Sequence, residues 1–576
     1  MYKWLFILSI LFYTACKEHP KPVADSRIND YALYDAQGGF HRFSYYNNSK
    51  AIVLFVQGNG CPMVRNALTD FKEIVDTYTP KGFTFFMLNA NPQDSREEIL
   101  KESTDYQFPV PVLDDSAQLL ADMLDIKVTT EAIVLHPTTR EILYRGPLNN
   151  RLEYETQREE ATVHSLQKAL DAIANGHTPH SDQNAVKGCK VTRLKFQSPV
   201  DTITYTKDIA PMLKDHCVMC HREGGIGPWQ MTDYETIKGW SAMIKQVLLT
   251  KRMPPWKADP HIGDFQNDFS LADSSTRKLV SWIDDGMMYG NGPDPLQNFQ
   301  FPEKEWTLGT PDTIIKLKKE QIPENGVIPY RYQRIALAMS SDKWIKGIQI
   351  KPGNPKVMHH ILVTNQTQKG QSPIVNRPTY KWIDDFIALG GGQDRGFYFP
   401  EESGVLLPKD SELIAQIHYT PTGKPETDET LIGLYFHDSI PKKEFKSLAT
   451  ANNTFTIPPF GKDIHVVGKD TLTKTIKLHY MVPHMHYRGK SIQISYTPPN
   501  GKEETIVSVA DYNFNWQRLY MLKEPMTIPK GSIITVEGVF DNTFQNPFNP
   551  DPSKELHYGF QSFDEMLIGF FNYTLE

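Results

Sequence analysis

Cysteine is scarce in this chain of 576 residues: there are five, at Cys16, Cys61, Cys189, Cys217 and Cys220. None follows Cys220, so no disulfide can staple the C-terminal half, and its core must hold by packing alone. An excess of one charge is also missing. With 61 basic and 68 acidic residues there is no basic face, and a nucleic-acid partner is excluded. Beyond the first sixteen residues no apolar run is long enough to span a bilayer. Beyond about residue 306 helical periodicity nearly vanishes. Proline is plentiful at 41 residues and aromatics make up 11%, a composition that suits short strands and turns. The length is too great for one core and points to several domains.

The segment 1–16, "MYKWLFILSILFYTAC", stands apart. One lysine precedes the apolar run Trp4 to Phe12, which is too short for a permanent membrane helix and fits a secretory h-region. Its end, "YTAC", resembles a bacterial lipobox and implies lipid on Cys16. The alternative is an ordinary signal peptide cut elsewhere. Either reading implies export, and the lipid reading implies a membrane-anchored lipoprotein of the periplasm, outer membrane or cell surface.

Residues 51–57, "AIVLFVQ", read as a buried strand. The turn "GNG" follows, then Cys61 at the start of an amphipathic helix, "CPMVRNALTDFKEIVDTY". A helix N-terminus lowers a thiol pKa and favours the thiolate. Strands at "FTFFMLNA" and "EAIVLHP" alternate with helices around "SAQLLADML" and "ATVHSLQKALDAIA", which predicts an α/β domain. Residues 28–178 resemble the peroxiredoxin/thioredoxin-like superfamily. The motif here is Cys61-Pro62-Met63-Val64, without a second cysteine, and the position of the superfamily's cis-proline is read as Thr130. Cys61 and Cys189 are redox thiol candidates; a structural disulfide between them is the alternative.

Residues 208–225, "DIAPMLKDHCVMCHREGG", contain C-x-x-C-H, the attachment signature of c-type haem. Cys217 and Cys220 would bind the haem covalently and His221 would be the proximal ligand to iron. Met231, Met243 and Met253 are candidates for the sixth ligand. Met253, in "TKRMPPW", is preferred because prolines stiffen its loop; core packing is the plain reading of the other two. His216 is read as a surface residue. The span 200–295 resembles the all-α cytochrome c domains of multidomain bacterial oxidoreductases.

From about residue 306 strands alternate apolar and polar residues, as in "SELIAQIHYT", "TIKLHYMV" and "SIITVEGVF", which predicts β-sandwiches. "LLPKDSELIAQIHY" and "TIPKGSIITVEGVF" echo one another and suggest two related jelly-roll-type sandwiches, 306–455 and 456–576. Histidines recur at strand positions: His359 and His360 in "VMHHILV", His418 in "QIHYTPTG", His484 and His486 in "PHMHYRG". A late methionine, Met566, sits in "DEMLIGFFNY". Imidazole suits both copper oxidation states, and thioether favours Cu(I). His437, His465, His479 and His557 are read as ordinary packing or hydrogen-bonding residues.

The order HH, HY, HxH, then Met resembles the copper type II, ascorbate-dependent monooxygenases, the family of the peptidylglycine hydroxylating and dopamine β-monooxygenases. The resemblance implies two coppers. His359, His360 and His418 would hold an electron-transfer copper. His484, His486 and Met566 would hold the catalytic copper that meets O2 and hydroxylates a substrate C–H. The family's peptide-binding arginine position is Val482 here, and its Asn and Tyr after the late Met are Ile568 and Phe570, which implies a small, apolar substrate in place of a peptide carboxylate. A tethered haem could pass on the electrons of an external donor, whether ascorbate, a quinol or a cytochrome. The alternatives are a non-catalytic copper and haem electron carrier and a thiol oxidoreductase centred on Cys61.

Overall fold

The computed structural model describes residues 27–154, 156–179, 186–194, 202–300, 306–337, 339–366, 386–391, 396–409 and 411–576. Cys16 and the segment 1–16 lie outside the described residues. Among the described residues, no helix is long and apolar enough to cross a membrane. The chain divides into two compact units. One comprises the described residues up to Tyr31 together with Tyr46–Arg193; the other comprises Ala32–Tyr45 and Leu194–Glu576.

The first unit is a thioredoxin-like α/β domain. Its five-stranded sheet runs Val112–Asp114, Thr84–Asn89, Ile52–Gln57, Ala132–Leu135, Ile142–Gly146. The first three strands are parallel and the last two antiparallel to their neighbours. Ile52–Gln57 is buried at every position, as expected for a central strand covered on both faces. The helix Pro62–Tyr78 follows. Proline at its first turn costs no hydrogen bond, and Val64, Ala67, Leu68, Phe71, Ile74, Val75 and Tyr78 form one buried stripe. Cys61 is its N-cap residue and is disulfide-bonded to Cys189, 128 residues away. The helix expected around residues 116–124 is shorter, Leu119–Met123, because Gln118 adopts a left-handed φ of 56° just before it.

The residue against Cys61 is Thr129, whose Oγ1 lies 3.2 Å from the Cys61 sulfur. Thr130, the expected cis-proline position, instead has a positive φ of 63° and donates its N–H to Val56.

In the second unit, helices Ala210–His216, Tyr234–Gly239, Ser241–Leu249 and Asp273–Asp284 occupy the stretch from 202 to 300. Their centre is aromatic: Tyr205 packs on Tyr234, Trp282 and Tyr289. The segment from Trp256 to Phe269 then lies on the C-terminal sandwich. Trp256 packs against Tyr520, and Gln266 and Asp259 donate backbone N–H groups to Met521 and Ser508. Burial of this segment in the C-terminal core ties the helical stretch to the strands.

The remainder is β-sandwich material. One nine-stranded sheet runs through it in the order Thr313–Lys316, Leu431–Phe436, Lys343–Lys351, Ser403–Leu407, Lys443–Asn452, Leu567–Leu575, Ile476–Met485, Tyr520–Ile528, with Phe397–Tyr398 pairing beside Lys343–Lys351. The halves join where Ser403–Leu407 pairs parallel with Lys443–Asn452. The sequence reading put Lys443–Asn452 in the first sandwich; the strand serves both, since Phe445, Ala449 and Ala451 enter the first core while its eight pairings run to Leu567–Leu575. Each half has a four-stranded partner sheet. One is ordered Arg331–Ala336, Glu412–Tyr419, Met358–Gln366, Phe386–Gly391; the other Ile464–Thr471, Ile533–Phe540, Gly489–Thr497, Glu504–Val509. The echoing sequences, Glu412–Tyr419 and Ile533–Phe540, take the same second place in their sheets. Alternation along one strand divides two cores: Met566, Ile568 and Phe570 enter the first, Leu567 and Phe571 the second.

Candidate metal centre

Three histidines converge on paired strands. His360 lies directly opposite His418, and His359 precedes it across a bulge in the register. His359 Nδ1 is 2.8 Å from His360 Nδ1 and 3.2 Å from His418 Nδ1. One ligand atom from each of the three lies within 4.8 Å of the others. Metal–imidazole bonds of about 2.0 Å hold neighbouring nitrogens about 3 Å apart, so this spacing suits a single ion. Burial lowers the His359 pKa to about 4 and drives His360 and His418 well below the ordinary value. The rings are therefore neutral and their lone pairs available.

His484 and His486 come from the strand Ile476–Met485 and the turn after it. Their rings are 5.1 Å apart. Here the Nδ1 atoms face away from each other's space: His484 Nδ1 meets Gln517 Oε1 at 2.6 Å, and His486 Nδ1 meets the Asp564 carbonyl at 3.2 Å. A carbonyl oxygen accepts from an N–H, so both rings carry their proton on Nδ1 and present an unprotonated Nε2. Burial again lowers both pKa values, to about 4 for His484. The neighbouring strand pairs His484 with Ile568 and Met485 with Leu567. Met566, one residue earlier, is thereby delivered to the His486 end. Met566, His484 and His360 line one small cavity of about 20 Å3, room for a single water-sized molecule.

The two clusters are neighbours. The rings of His360 and His484 are 6.2 Å apart. Tyr330 stands between them, edge-on to His360, His418 and His486, with its hydroxyl 3.4 Å from His486 Nε2. Phe514 stacks on His359 with ring centroids 4.7 Å apart. Glu565 fixes the turn: its carboxylate accepts from the backbone N–H groups of His486 and Arg488, and the fully buried Arg488 guanidinium is 3.7 Å away. Sequence reasoning missed Tyr330, Phe514, Gln517, Arg488 and Glu565. Only the last two carried a signal, since Arg488 extends the H-x-H pattern and Glu565 precedes Met566.

The histidines read as ordinary have ordinary partners. His437 meets the Ser403 carbonyl, His465 meets Glu537, His479 meets Thr574 and His557 meets Thr456.

Cys217, Cys220 and His221 follow the helix Ala210–His216. The His221 N–H bonds the Cys217 carbonyl, one helical turn back, so the spacing puts the three side chains on one face. Neither cysteine is in a disulfide, and burial pushes the Cys217 thiol up to about 12. His221 Nδ1 donates to the Trp229 carbonyl at 3.0 Å, leaving Nε2 to face a cavity of about 530 Å3. That volume lies within the range of cofactor pockets, roughly 300–1,000 Å3. Met231, Met243 and Met253 all line it, as does His216. Met243 is 42% exposed, so the core-packing reading fails for it, and His216 is half-buried. The far wall contains His359 and Gln517.

Residues 448–575 match the copper type II ascorbate-dependent monooxygenase C-terminal domain. Residues 24–146 match the AhpC/TSA family, in line with the thioredoxin-like fold. DBH-like monooxygenase protein 1 of Mus musculus is 24% identical over 313 residues, which are 47% of this chain and 51% of that protein. The chain thus spans about half the length of that curated relative. Among solved structures, a hypothetical protein from Sinorhizobium meliloti 1021 is similar at 22% identity and a TM-score of 0.27, over 29% of this chain and 91% of that one. An uncharacterized conserved protein from Geobacillus kaustophilus is similar at 25% identity and a TM-score of 0.26, over 29% and 90%. The matched monooxygenase domain carries His484, His486 and Met566, and its family implies copper, O2 and a reductant such as ascorbate.

Proposed function

We propose that this chain is an exported, lipid-anchored copper monooxygenase that hydroxylates a small apolar substrate with O2, its electrons fed through a c-type haem held by residues 200–295. The observation that carries the reading is the juxtaposition of two neutral histidine clusters, each of which contributes a ring to the small cavity that Met566 lines. His359, His360 and His418 would hold the electron-transfer copper; His484, His486 and Met566 would hold the catalytic one. The donor sets fit: three imidazoles suit a copper that changes oxidation state, and a thioether favours the cuprous form. Bound copper would supply one-electron transfer and activation of O2.

The chain's own residues supply the rest. Gln517 and the Asp564 carbonyl orient the His484 and His486 rings. Glu565 and Arg488 hold the turn between them. Val482, Ile568 and Phe570 are buried in the first core, and a buried carboxylate there would find no cationic partner among them. This supports an apolar substrate. Cys217 and Cys220 would form the thioether links of the haem, and His221 and Met253, which line the same cavity, would be the residues that hold its iron. Monooxygenation takes two electrons per O2, and a haem held at Cys217 and Cys220 would supply them singly at high effective concentration.

The test is oxygen uptake driven by ascorbate in the copper-loaded full chain. Uptake that disappears in His484→Ala supports the reading; equal uptake in that variant contradicts it. A second reading, an electron carrier without oxygenation, draws on the small size of the cavity beside Met566, about 20 Å3. Copper that cycles between oxidation states without consuming O2 would establish it.

A further inference from the structure

The 513–518 turn touches three things at once. Its Phe514 stacks on His359 and approaches His418 and His486, with centroids 5.4 and 6.1 Å apart. Its Gln517 accepts from His484 Nδ1 at 2.6 Å. Its residues Asn515 to Arg518 also form part of the wall of the cavity that holds Cys217, Cys220 and His221. His359 belongs to that same wall.

The cavity therefore has two contacts with the histidine clusters. One is direct, through His359. The other runs through Gln517 to His484 and does not pass through the three-histidine cluster. The turn is well fastened for such a role. Phe514 is buried, Asn513 caps the short 3-10 helix Phe514–Trp516, and Gln517 donates to the Phe514 carbonyl. The Arg518 guanidinium lies over the rings of Trp516 and Phe269, which pins the turn to the helical segment.

We propose that the 513–518 turn is the electron port between the cysteine-bearing cavity and both metal clusters, with Gln517 the positioning residue that couples the cavity to His484. This rests on the haem and copper reading above. In each transfer an ascorbate-class donor loses one electron, the haem iron gains it, and the iron is reoxidised as one Cu(II) becomes Cu(I). No proton need move with it, because Gln517 holds the His484 Nδ1–H in place throughout. A chain with two contacts would load each copper separately, without an obligatory order.

The experiment uses the full chain carrying haem and copper. One electron is delivered to the haem by flash reduction without O2, and haem reoxidation is followed by absorbance while freeze-quenched samples report Cu(II) by EPR. The native chain is expected to reoxidise its haem in one phase, the sum of the two routes, with both Cu(II) signals falling in proportion to their rates. Gln517→Leu at saturating copper should cut the share of electrons that reaches one Cu(II) signal roughly 10–100-fold, the usual range for a lost partner of a metal-bound histidine, and should slow haem reoxidation by the lost route. Gln517→Glu, which still accepts from His484 Nδ1–H, should restore both. Unchanged kinetics in Gln517→Leu with haem and copper present would overturn the port alone. A purified chain without haem, shown by its pyridine haemochrome spectrum, would overturn the port together with the haem reading.

Discussion

His360 and His484 belong to different sandwiches, yet their rings stand 6.2 Å apart. The long sheet makes this possible. It carries the His484 strand from the second sandwich to the edge of the first core, where His360 and His418 project from the opposing sheet. Losing a ligand from one cluster should therefore leave the other intact. His418→Ala is expected to remove one copper and keep the other, and His486→Ala the reverse. Metal analysis with EPR of each variant checks this; loss of both coppers from either variant would mean one shared site.

Glu565 and Arg488 form a buried ion pair beside the second cluster. Glu565→Ala leaves an uncompensated charge and frees two backbone N–H groups. A loss of about 3–5 kcal/mol is expected, read as a lower midpoint of thermal or denaturant unfolding. Because the carboxylate sets the His486 turn, the variant should also bind the second copper more weakly while the first is unaffected.

The strand pattern, the helix starting at Cys61 and the histidines that cluster were legible because each rests on local periodicity or a short motif. Gln517 and Tyr330 were not, because a lone glutamine in "NWQRLY" and a lone tyrosine in "IPYRY" gain meaning only from what tertiary contacts bring to them. The shared sheet was hidden for the same reason: strand order is set by pairing across long sequence separations, as in Ser403 with Lys443. The cysteine pair was legible only as a choice, since disulfide geometry depends on how the segment at 186–194 lies along Thr129.

Cys61 is tied to Cys189 across 128 residues. Removing a crosslink over so long a loop should cost about 2–5 kcal/mol. Cys189→Ser is expected to lower the stability of the thioredoxin-like unit by that amount and to leave copper content and oxygen uptake unchanged. Loss of oxygen uptake in that variant, or in Cys61→Ser, would support the thiol oxidoreductase alternative.

Asp115 is wholly buried in the same unit, and burial raises its pKa to about 7. The folded state thus holds a proton that the unfolded chain releases near pH 4. Stability from this group is full below that pH and is lost as pH rises to about 7, by up to about 1.4 kcal/mol per pH unit. Asp115→Asn should flatten that slope in unfolding measurements across the window, whatever constant offset it adds. An unchanged slope would show that the carboxyl titrates normally.

The most direct test of the account is the metal and haem content of the purified chain, with EPR and visible spectra of the same sample. Two coppers of distinct EPR signature and one low-spin haem per chain are the predicted result. Zinc in the histidine clusters, or a single copper that Met566→Leu leaves unperturbed, would contradict it.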